Sequence, residues 1–261
     1  MFFTQPASSP VIRPHPGCFV TGTDTNVGKT VVTAALASCL RGRRVSVGIM
    51  KPIETGYGSA GSPDSDAERL RWAAGVSDDL NLVVPYRFPA PLAPLAASRQ
   101  AGETIELHRI ISAYEQLAAR HGLLLVEGAG GVLAPISEQC ATADLIAKLG
   151  LPALIVGRPG LGGINHALLT LEALERRHIS VLGIVLNLQS APKDTQEVPA
   201  GFEWMQIQST TDFVRQFCGH RVFGPLKHIA DLDKGWRAGV EELASDPWIQ
   251  SLADLVAPHA R

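Results

Sequence analysis

A doubly wound α/β fold, with a mainly parallel sheet covered by helices on both faces, is what this sequence predicts. Three observations lead there. Apolar runs of strand length recur at 18–22, 45–50, 123–128, 153–157, 181–187 and 221–226. They are rich in Val, Ile and Leu and lack polar alternation, as strands buried on both faces do. Stretches at helical spacing separate them, at 29–41, 104–121, 141–149, 164–178 and 236–256. Strand–helix alternation implies right-handed crossovers onto one sheet.

The bulk numbers narrow the class. The 261 residues carry a formal net charge of −2, with 46% hydrophobic residues and a mean hydropathy of +0.12. Length and composition suit one large domain with a proper core. The charge gives no case for nucleic acid or an anionic membrane as partner, and no apolar run approaches the ~20 residues of a membrane span. Cys18, Cys39, Cys140 and Cys218 are scattered, which favours reduced buried thiols and a cytoplasmic location over a metal cluster or disulfide framework. The opening "MFFTQPASSPVIRPHPG" has four prolines and no charged n-region. Residues 1–16 are therefore expected as a flexible Pro-rich leader and 17–261 as a single domain. Three irregular stretches, 59–66, 83–98 and 189–204, are expected as loops over the sheet edge, where open α/β sheets bind ligands.

The polar residues follow the elements in order. After the first strand, "GTDTNVGKT" puts five residues between Gly22 and Gly28-Lys29-Thr30. The standard phosphate loop has four residues between its glycines, so this is a variant of the P-loop NTPase type. Its physical parts remain: a strand, a Gly-containing loop, and a helix N-terminus whose N–H groups meet an anion. The backbone from Asn26 through Val27 and Gly28 to Val31 would cradle phosphate, Lys29 would reach its β- and γ-groups, and the Thr30 hydroxyl would ligate Mg²⁺. After the second strand, "GIMKPIETG" brings Lys51 to the ligand edge, either as a solvated strand-end lysine or as a second cation for a group in transit. Thr55 follows with a hydroxyl for a small ligand.

The stretch "DSDAERL" opens a helix with acidic residues in its first turn. Capping accounts for Asp64, while Asp66 either caps or turns to a metal. In "LLLVEGAGG" an apolar run delivers Glu127 to the phosphate side as a Walker-B-like carboxylate. A buried Glu without a partner would cost several kcal/mol. Gly128, Ala129 and Gly130 then let backbone approach a ligand. In "VGRPGLGGINHALLT" a Gly-rich turn leads into a helix, with Gly162, Gly163 and Asn165 near its start, and His166 reads as an ordinary hydrogen-bonded helix residue. Asn187, closing "IVLN", is either a turn residue or an amide for a base edge.

These motifs in this order, "VTGTDTNVGKT", "KPIETG", the "SDA" at 65–67, "EGAGG" and "GLGGINHALLT", resemble the ATP-dependent dethiobiotin synthetases, over about two-thirds of the chain. That family carries the same variant loop. The resemblance implies a homodimer that closes a ureido ring on 7,8-diaminopelargonic acid with CO₂, ATP and Mg²⁺. It implies metal contacts from Thr30, Asp66 and Glu127, and catalytic roles for Lys29, Lys51 and Thr25. Thr25, Lys51 and Thr55 would face the diamine and its carbamate. Gly162, Gly163 and Asn165 would come from the other subunit and bind the substrate's carboxylate.

This chain departs from the pattern in three places. Asn26 and Leu188 stand where acidic residues occur in that family, and "GPLKHI" at 224–229 replaces a turn expected under the adenine. Two rivals share the fold. A related synthetase acting on another substrate, of the cobyrinic acid diamide type, would bring an amidotransferase cysteine, and no cysteine here has an elbow-like setting. A partitioning or targeting switch ATPase would carry a signature Lys five residues before Lys29, where this sequence has Asp24.

Overall fold

The computed structural model describes residues 15–57, 65–191, 200–230, 232 and 235–257. The first half of this region runs β1 (Gly17–Gly22), α1 (Lys29–Gly42), β2 (Val47–Met50), β3 (Ile53–Thr55), α2 (Asp66–Ala74), α3 (Leu80–Val83), β4 (Tyr86–Phe88), α4 (Pro94–Ala101), α5 (Leu107–Ala118) and β5 (Leu123–Gly131). The second half adds β6 (Pro135–Ser137), β7 (Cys140–Ala141), α6 (Thr142–Leu149), β8 (Ala153–Gly157), α7 (Gly163–Glu175), β9 (Val181–Asn187), α8 (Ala200–Phe217), β10 (Val222–Leu226), α9 (Trp236–Ala244) and α10 (Pro247–Val256).

All six expected strands form, and they make one parallel sheet in the order β10-β9-β8-β1-β5-β2. Their unbroken apolarity has a direct cause. Successive side chains of a strand point to opposite faces. Leu123 and Leu125 of β5 therefore join a core with α1, α2, α9 and α10, while Leu124 and Val126 join a second core with α5, α6 and α7. Each face needs its own apolar set, so the sequence shows no alternation. With helices on both faces and strand order reversing around β1, the carboxyl ends of β1, β2, β5 and β9 converge on one edge, where doubly wound sheets carry their ligands.

Several boundaries differ from the sequence expectation. The stretch 236–256 is two helices, because Asp246 caps a new one with Pro247 at its first position, a preferred start. The stretch 83–98 is not a plain loop: β4 pairs parallel with β3, and α4 begins at Pro94. The region after β9 contains the 18-residue α8. Most of the leader, Asp64 with its capping role, and most of the stretch 59–66 lie outside the described residues. The residue that caps α2 is Ser65, whose Oγ accepts the Glu68 N–H. All four cysteines are buried and free, and no described helix is long and apolar enough to cross a membrane.

Candidate active site

The loop between β1 and α1 is built around backbone that most side chains cannot adopt. Gly28 has φ +91°, and a Cβ there would overlap the Asn187 amide nitrogen. Asn26 has φ +55°, a region that Asn tolerates better than most residues. Asn187, at the end of β9, donates its side-chain N–H to the Val27 carbonyl at 3.1 Å. It thereby clamps the loop from the neighbouring strand, a role the sequence did not suggest. The Val27 side chain itself is in the core, so only its backbone is offered to a ligand. No side chain caps α1 at Gly28, which leaves its first N–H groups for an anion. Gly28→Ala should abolish nucleotide binding measured by calorimetry while the sheet still folds. Left-handed backbone costs a Cβ-bearing residue roughly 1–2 kcal/mol, and the overlap would push Asn187 off Val27.

Lys29 donates from Nζ to the Asp24 carbonyl at 2.8 Å. Burial, partly offset by Glu127, holds its ammonium below the ordinary lysine range. Beside it lies a cluster assembled from four elements. Lys51, directly after β2, is 5% exposed, and Glu127 in β5 is 0% exposed. Because β2 and β5 pair in parallel, their carboxyl ends bring Lys51 Nζ to 2.7 Å from Glu127 Oε1. Lys51 also forms an ion pair with Asp66 of α2. The Thr30 hydroxyl donates to the same Glu127 oxygen at 2.8 Å.

The electrostatics follow from this packing. Burial alone would lower the Lys51 pKa, but Glu127 and then Asp66 raise it above the ordinary lysine value. Burial pushes Asp66 up, while Lys51 and a Thr30 hydrogen bond outweigh that and lower it. Breaking such a buried pair typically costs 3–5 kcal/mol, because one charge is left without compensation. Glu54, which the sequence left without a role, fixes the cluster from below. Its buried carboxylate accepts the Asp66 N–H at 2.7 Å, so β3 sets where α2 starts.

This donor set fits a small hard cation. Glu127 Oε2 is buried with no hydrogen-bond partner among the described residues, and Thr30, Asp66 and Glu127 converge as oxygen donors. Mg²⁺ characteristically takes one or two carboxylates with the rest of its shell from water and phosphate. No group of three His, Cys, Asp or Glu side chains able to hold a metal occurs among the described residues.

A cavity of about 520 Å³ opens over the cluster. Of the residues singled out in the sequence, Thr25, Asn26, Gly28, Lys29, Thr30, Val31, Lys51, Thr55, Asp66, Glu127, Gly128, Ala129 and Gly130 line it. Arg69, Leu232 and Trp236 line it as well. They carry no motif, and only the turn spacing from Asp66 to Arg69 hints at one of them. An adjoining cavity of about 390 Å³ shares Asn26, Gly28, Val31 and Leu232, and adds Asn187, Leu188, Gln189 and the Lys227–Ile229 segment. Gly162, Gly163 and Asn165 line neither. They start α7 beyond β8, where the Gly160 carbonyl accepts a hydrogen bond from Thr210 of α8 at 3.5 Å. His166 is a helix residue, as expected, but its Nδ1 is buried without a partner among the described residues.

Known proteins match this arrangement. A family model described as an AAA domain matches residues 17–235. The ATP-dependent dethiobiotin synthetase BioD of Anaeromyxobacter dehalogenans (strain 2CP-C) is 51% identical over 183 residues, covering 70% of this chain and 81% of that protein. The protein of the same name from Anaeromyxobacter sp. (strain Fw109-5) is 45% identical, covering 83% and 92%. That from Bacillus subtilis (strain 168) is 34% identical, covering 84% and 90%. Among solved structures, the cell division protein MinD of Aquifex aeolicus gives a TM-score of 0.51 at 13% identity, covering 93% and 96%. A ParA family ATPase of Chlorobium tepidum TLS gives 0.50 at 16%, covering 91% and 98%. These two share the fold.

Proposed function

The chain belongs to the ATP-dependent dethiobiotin synthetase family, and from that premise we propose that it closes the ureido ring of dethiobiotin on 7,8-diaminopelargonic acid, using CO₂ and ATP. The observation that carries this reading is the Lys51–Glu127–Asp66–Thr30 cluster in the cavity beside the variant glycine loop. It supplies a second cation where a carbamate and a transferring phosphoryl group must both be held.

The chemistry balances on that inventory. One substrate amine adds to CO₂ and loses a proton, giving a carbamate. A carbamate oxygen attacks the γ-phosphorus of ATP and ADP leaves, producing a carbamic–phosphoric anhydride. The second amine attacks the carbonyl carbon and gives up a proton, inorganic phosphate departs, and the ring closes. Lys51 holds the carbamate anion, Lys29 holds the β- and γ-phosphates, and Thr25 and Thr55 orient the diamine. The loop from Asn26 to Val31 and the backbone from Gly128 to Gly130 cradle the nucleotide, and Asn187 keeps the loop in register under the base. Thr30, Asp66 and Glu127 would hold Mg²⁺, which when bound neutralises phosphate charge. No covalent enzyme intermediate is required, so positioning and electrostatics carry the rate.

The working form is a homodimer in which Gly162, Gly163 and Asn165 of one subunit bind the substrate carboxylate beside the cavity of the other. Two features support this. Those residues lie outside their own subunit's cavity. Also, Phe202, Met205, Phe213 and Phe217 expose one apolar stripe of α8, opposite Ile207, Thr211 and Val214, which it buries. The double substitution of Phe213 and Phe217 by Asp should convert a dimer into monomers in sedimentation velocity and raise the KM for the diamine more than for ATP. Four buried free thiols are in keeping with a reducing, cytoplasmic setting.

The deciding experiment is phosphate release from MgATP and bicarbonate with and without the diamine, followed by mass detection of product. Diamine-dependent release with dethiobiotin formed is expected. Hydrolysis indifferent to the diamine would favour the alternative that the ParA- and MinD-like fold allows, a nucleotide-switch ATPase, and Asp24 in place of that class's signature lysine speaks against it.

A further inference from the structure

Strand β3 begins two residues after Lys51 and is held by β4, with Glu54 opposite Arg87 and Thr55 opposite Phe88. Main-chain bonds pin both ends of this stretch. The Lys51 N–H donates to the Val83 carbonyl at 2.7 Å, and the Gly56 N–H donates to the Phe88 carbonyl at 2.9 Å. Successive side chains of a strand point to opposite sides. Thr55 lines the cavity and Glu54 does not; the Glu54 carboxylate goes instead to the start of α2.

There it caps the helix from another element. A helix leaves its first N–H groups without intrahelical acceptors. In α2, Ser65 Oγ takes the Glu68 N–H at 3.3 Å, and Glu54 Oε1 takes the Asp66 N–H at 2.7 Å. Glu54 is 3% exposed. A polar side chain buried that deeply is costly unless it is hydrogen-bonded, and the bond it makes is to the backbone of a metal-side residue.

The contact matters because of what Asp66 must do. Glu127 and Thr30 are placed by β5 and by the helix that follows the glycine loop, and they already touch. Asp66 belongs to neither element. Its helix packs on α1 through Ala67, Leu70 and Ala73. Apolar burial is non-directional, so this packing sets the distance of α2 from its neighbours without fixing its position along its own axis. The hydrogen bond from β3 fixes that position at the first residue, which is Asp66 itself. A functional carboxylate has to be held to within about 0.5 Å.

We propose that Glu54 is a positioning residue of the cation site: by capping α2 from β3 it sets the Asp66 carboxylate against Lys51 and the metal. The same strand carries Thr55 into the cavity, so one rigid piece of backbone ties the diamine side of the site to its metal side. This rests on the reading of Asp66 as a metal contact, and the test keeps the two apart.

The test uses the full chain and two substitutions. Glu54→Met fills the volume and removes the acceptor. Glu54→Gln keeps the acceptor, and its amide nitrogen takes the place of Oε2, which has no hydrogen-bond partner among the described residues. Hydrogen exchange in EDTA, without nucleotide, reads the anchor directly. The first turn of α2 should exchange roughly tenfold faster in Glu54→Met while α1 and β5 keep their protection, and Glu54→Gln should stay within about threefold of wild type. Calorimetry then reads the metal. The Mg²⁺ concentration that half-saturates the tightening of ADP should rise roughly 10–100-fold in Glu54→Met, the loss typical of a residue that orients a ligand, and by less than about threefold in Glu54→Gln. ADP affinity in EDTA should not change in either variant.

Unchanged exchange would overturn the proposal, and so would faster exchange with the metal demand unaltered. A Glu54→Gln variant as impaired as Glu54→Met would overturn it too, because the acceptor would then not be what acts. Should Glu54→Met fail to fold, Glu54→Asp, whose carboxylate is one methylene short of the Asp66 N–H, makes the same comparison. Asp66→Asn isolates the underlying reading. If it leaves the Mg²⁺ demand at the wild-type value while Glu54→Met still loosens α2, the metal role of Asp66 falls and the anchor stands.

Discussion

Lys51→Met should abolish ring closure, with kcat lowered by at least ~10²–10³-fold, while MgATP still binds within a few-fold of the wild-type affinity. The separation of the two effects follows from geometry. In the proposed mechanism the glycine loop and Lys29 hold the phosphates from one side, and Lys51 contributes from the end of β2 on the other. A methionine fills the volume of the lysine stem without its charge, so the substitution isolates the ammonium. Rapid-quench measurement of γ-phosphate transfer, beside calorimetric nucleotide binding, separates them. Unimpaired transfer in this variant would remove Lys51 from the mechanism.

The same substitution has a structural signature. The Lys51 ammonium is the cation that compensates Glu127, which is fully buried. Without it a buried carboxylate is left uncompensated, a loss of about 3–5 kcal/mol where nothing replaces the cation. The variant should melt well below wild type in EDTA and recover much of the difference in millimolar Mg²⁺, because a cation on the same oxygens restores the balance. A merely exposed strand-end lysine would show neither effect.

The sequence is most legible where local chemistry and chain order coincide. The six strands were legible because double burial writes an unbroken apolar run, and every such run joined the sheet. The loop, Lys51 and Glu127 were legible because each directly follows or ends such a run, which fixes it at the ligand edge. What the sequence hid was lateral. Asn187 clamps the loop through a partner 160 residues away. Glu54 anchors Asp66 through a backbone N–H, a contact that depends on where β3 lies beside α2. Arg69 meets Trp236 only because α2 and α9 pack against the same helix, α1. None of these pairings has a spacing to read.

The missed boundaries have a similar origin. Proline and capping aspartate split 236–256 where the apolar periodicity continues across the break, since α9 and α10 both bury the same face of the sheet. Likewise α8 is hard to see in the sequence because its exposed stripe is apolar, so its two apolar faces blur the helical period that marks an amphipathic helix.

Glu127→Gln should separate metal-dependent turnover from nucleotide binding. The amide keeps one oxygen for Thr30 and Lys51 to donate to, and keeps the volume, so the loop and α1 have no reason to move. What changes is Oε2, the buried oxygen that has no donor among the described residues. In glutamine that position carries an N–H₂, which repels a cation instead of binding it. The Mg²⁺ concentration for half-maximal turnover should rise by more than tenfold, and kcat at saturating metal should fall by ~10²-fold or more. ADP binding in EDTA should stay within about threefold of wild type. Glu127→Ala should give the same pattern with a larger loss of stability, because it also frees Thr30 and Lys51 from their shared acceptor. Equal loss of metal-free and metal-dependent binding would mean that Glu127 only supports the loop, and the metal would then have to be sought on Asp66 and Thr30 alone. The orphaned Oε2 makes that second outcome hard to sustain. A buried carboxylate oxygen with no donor among the described residues is a destabilising feature, and a cation bound there would offset it.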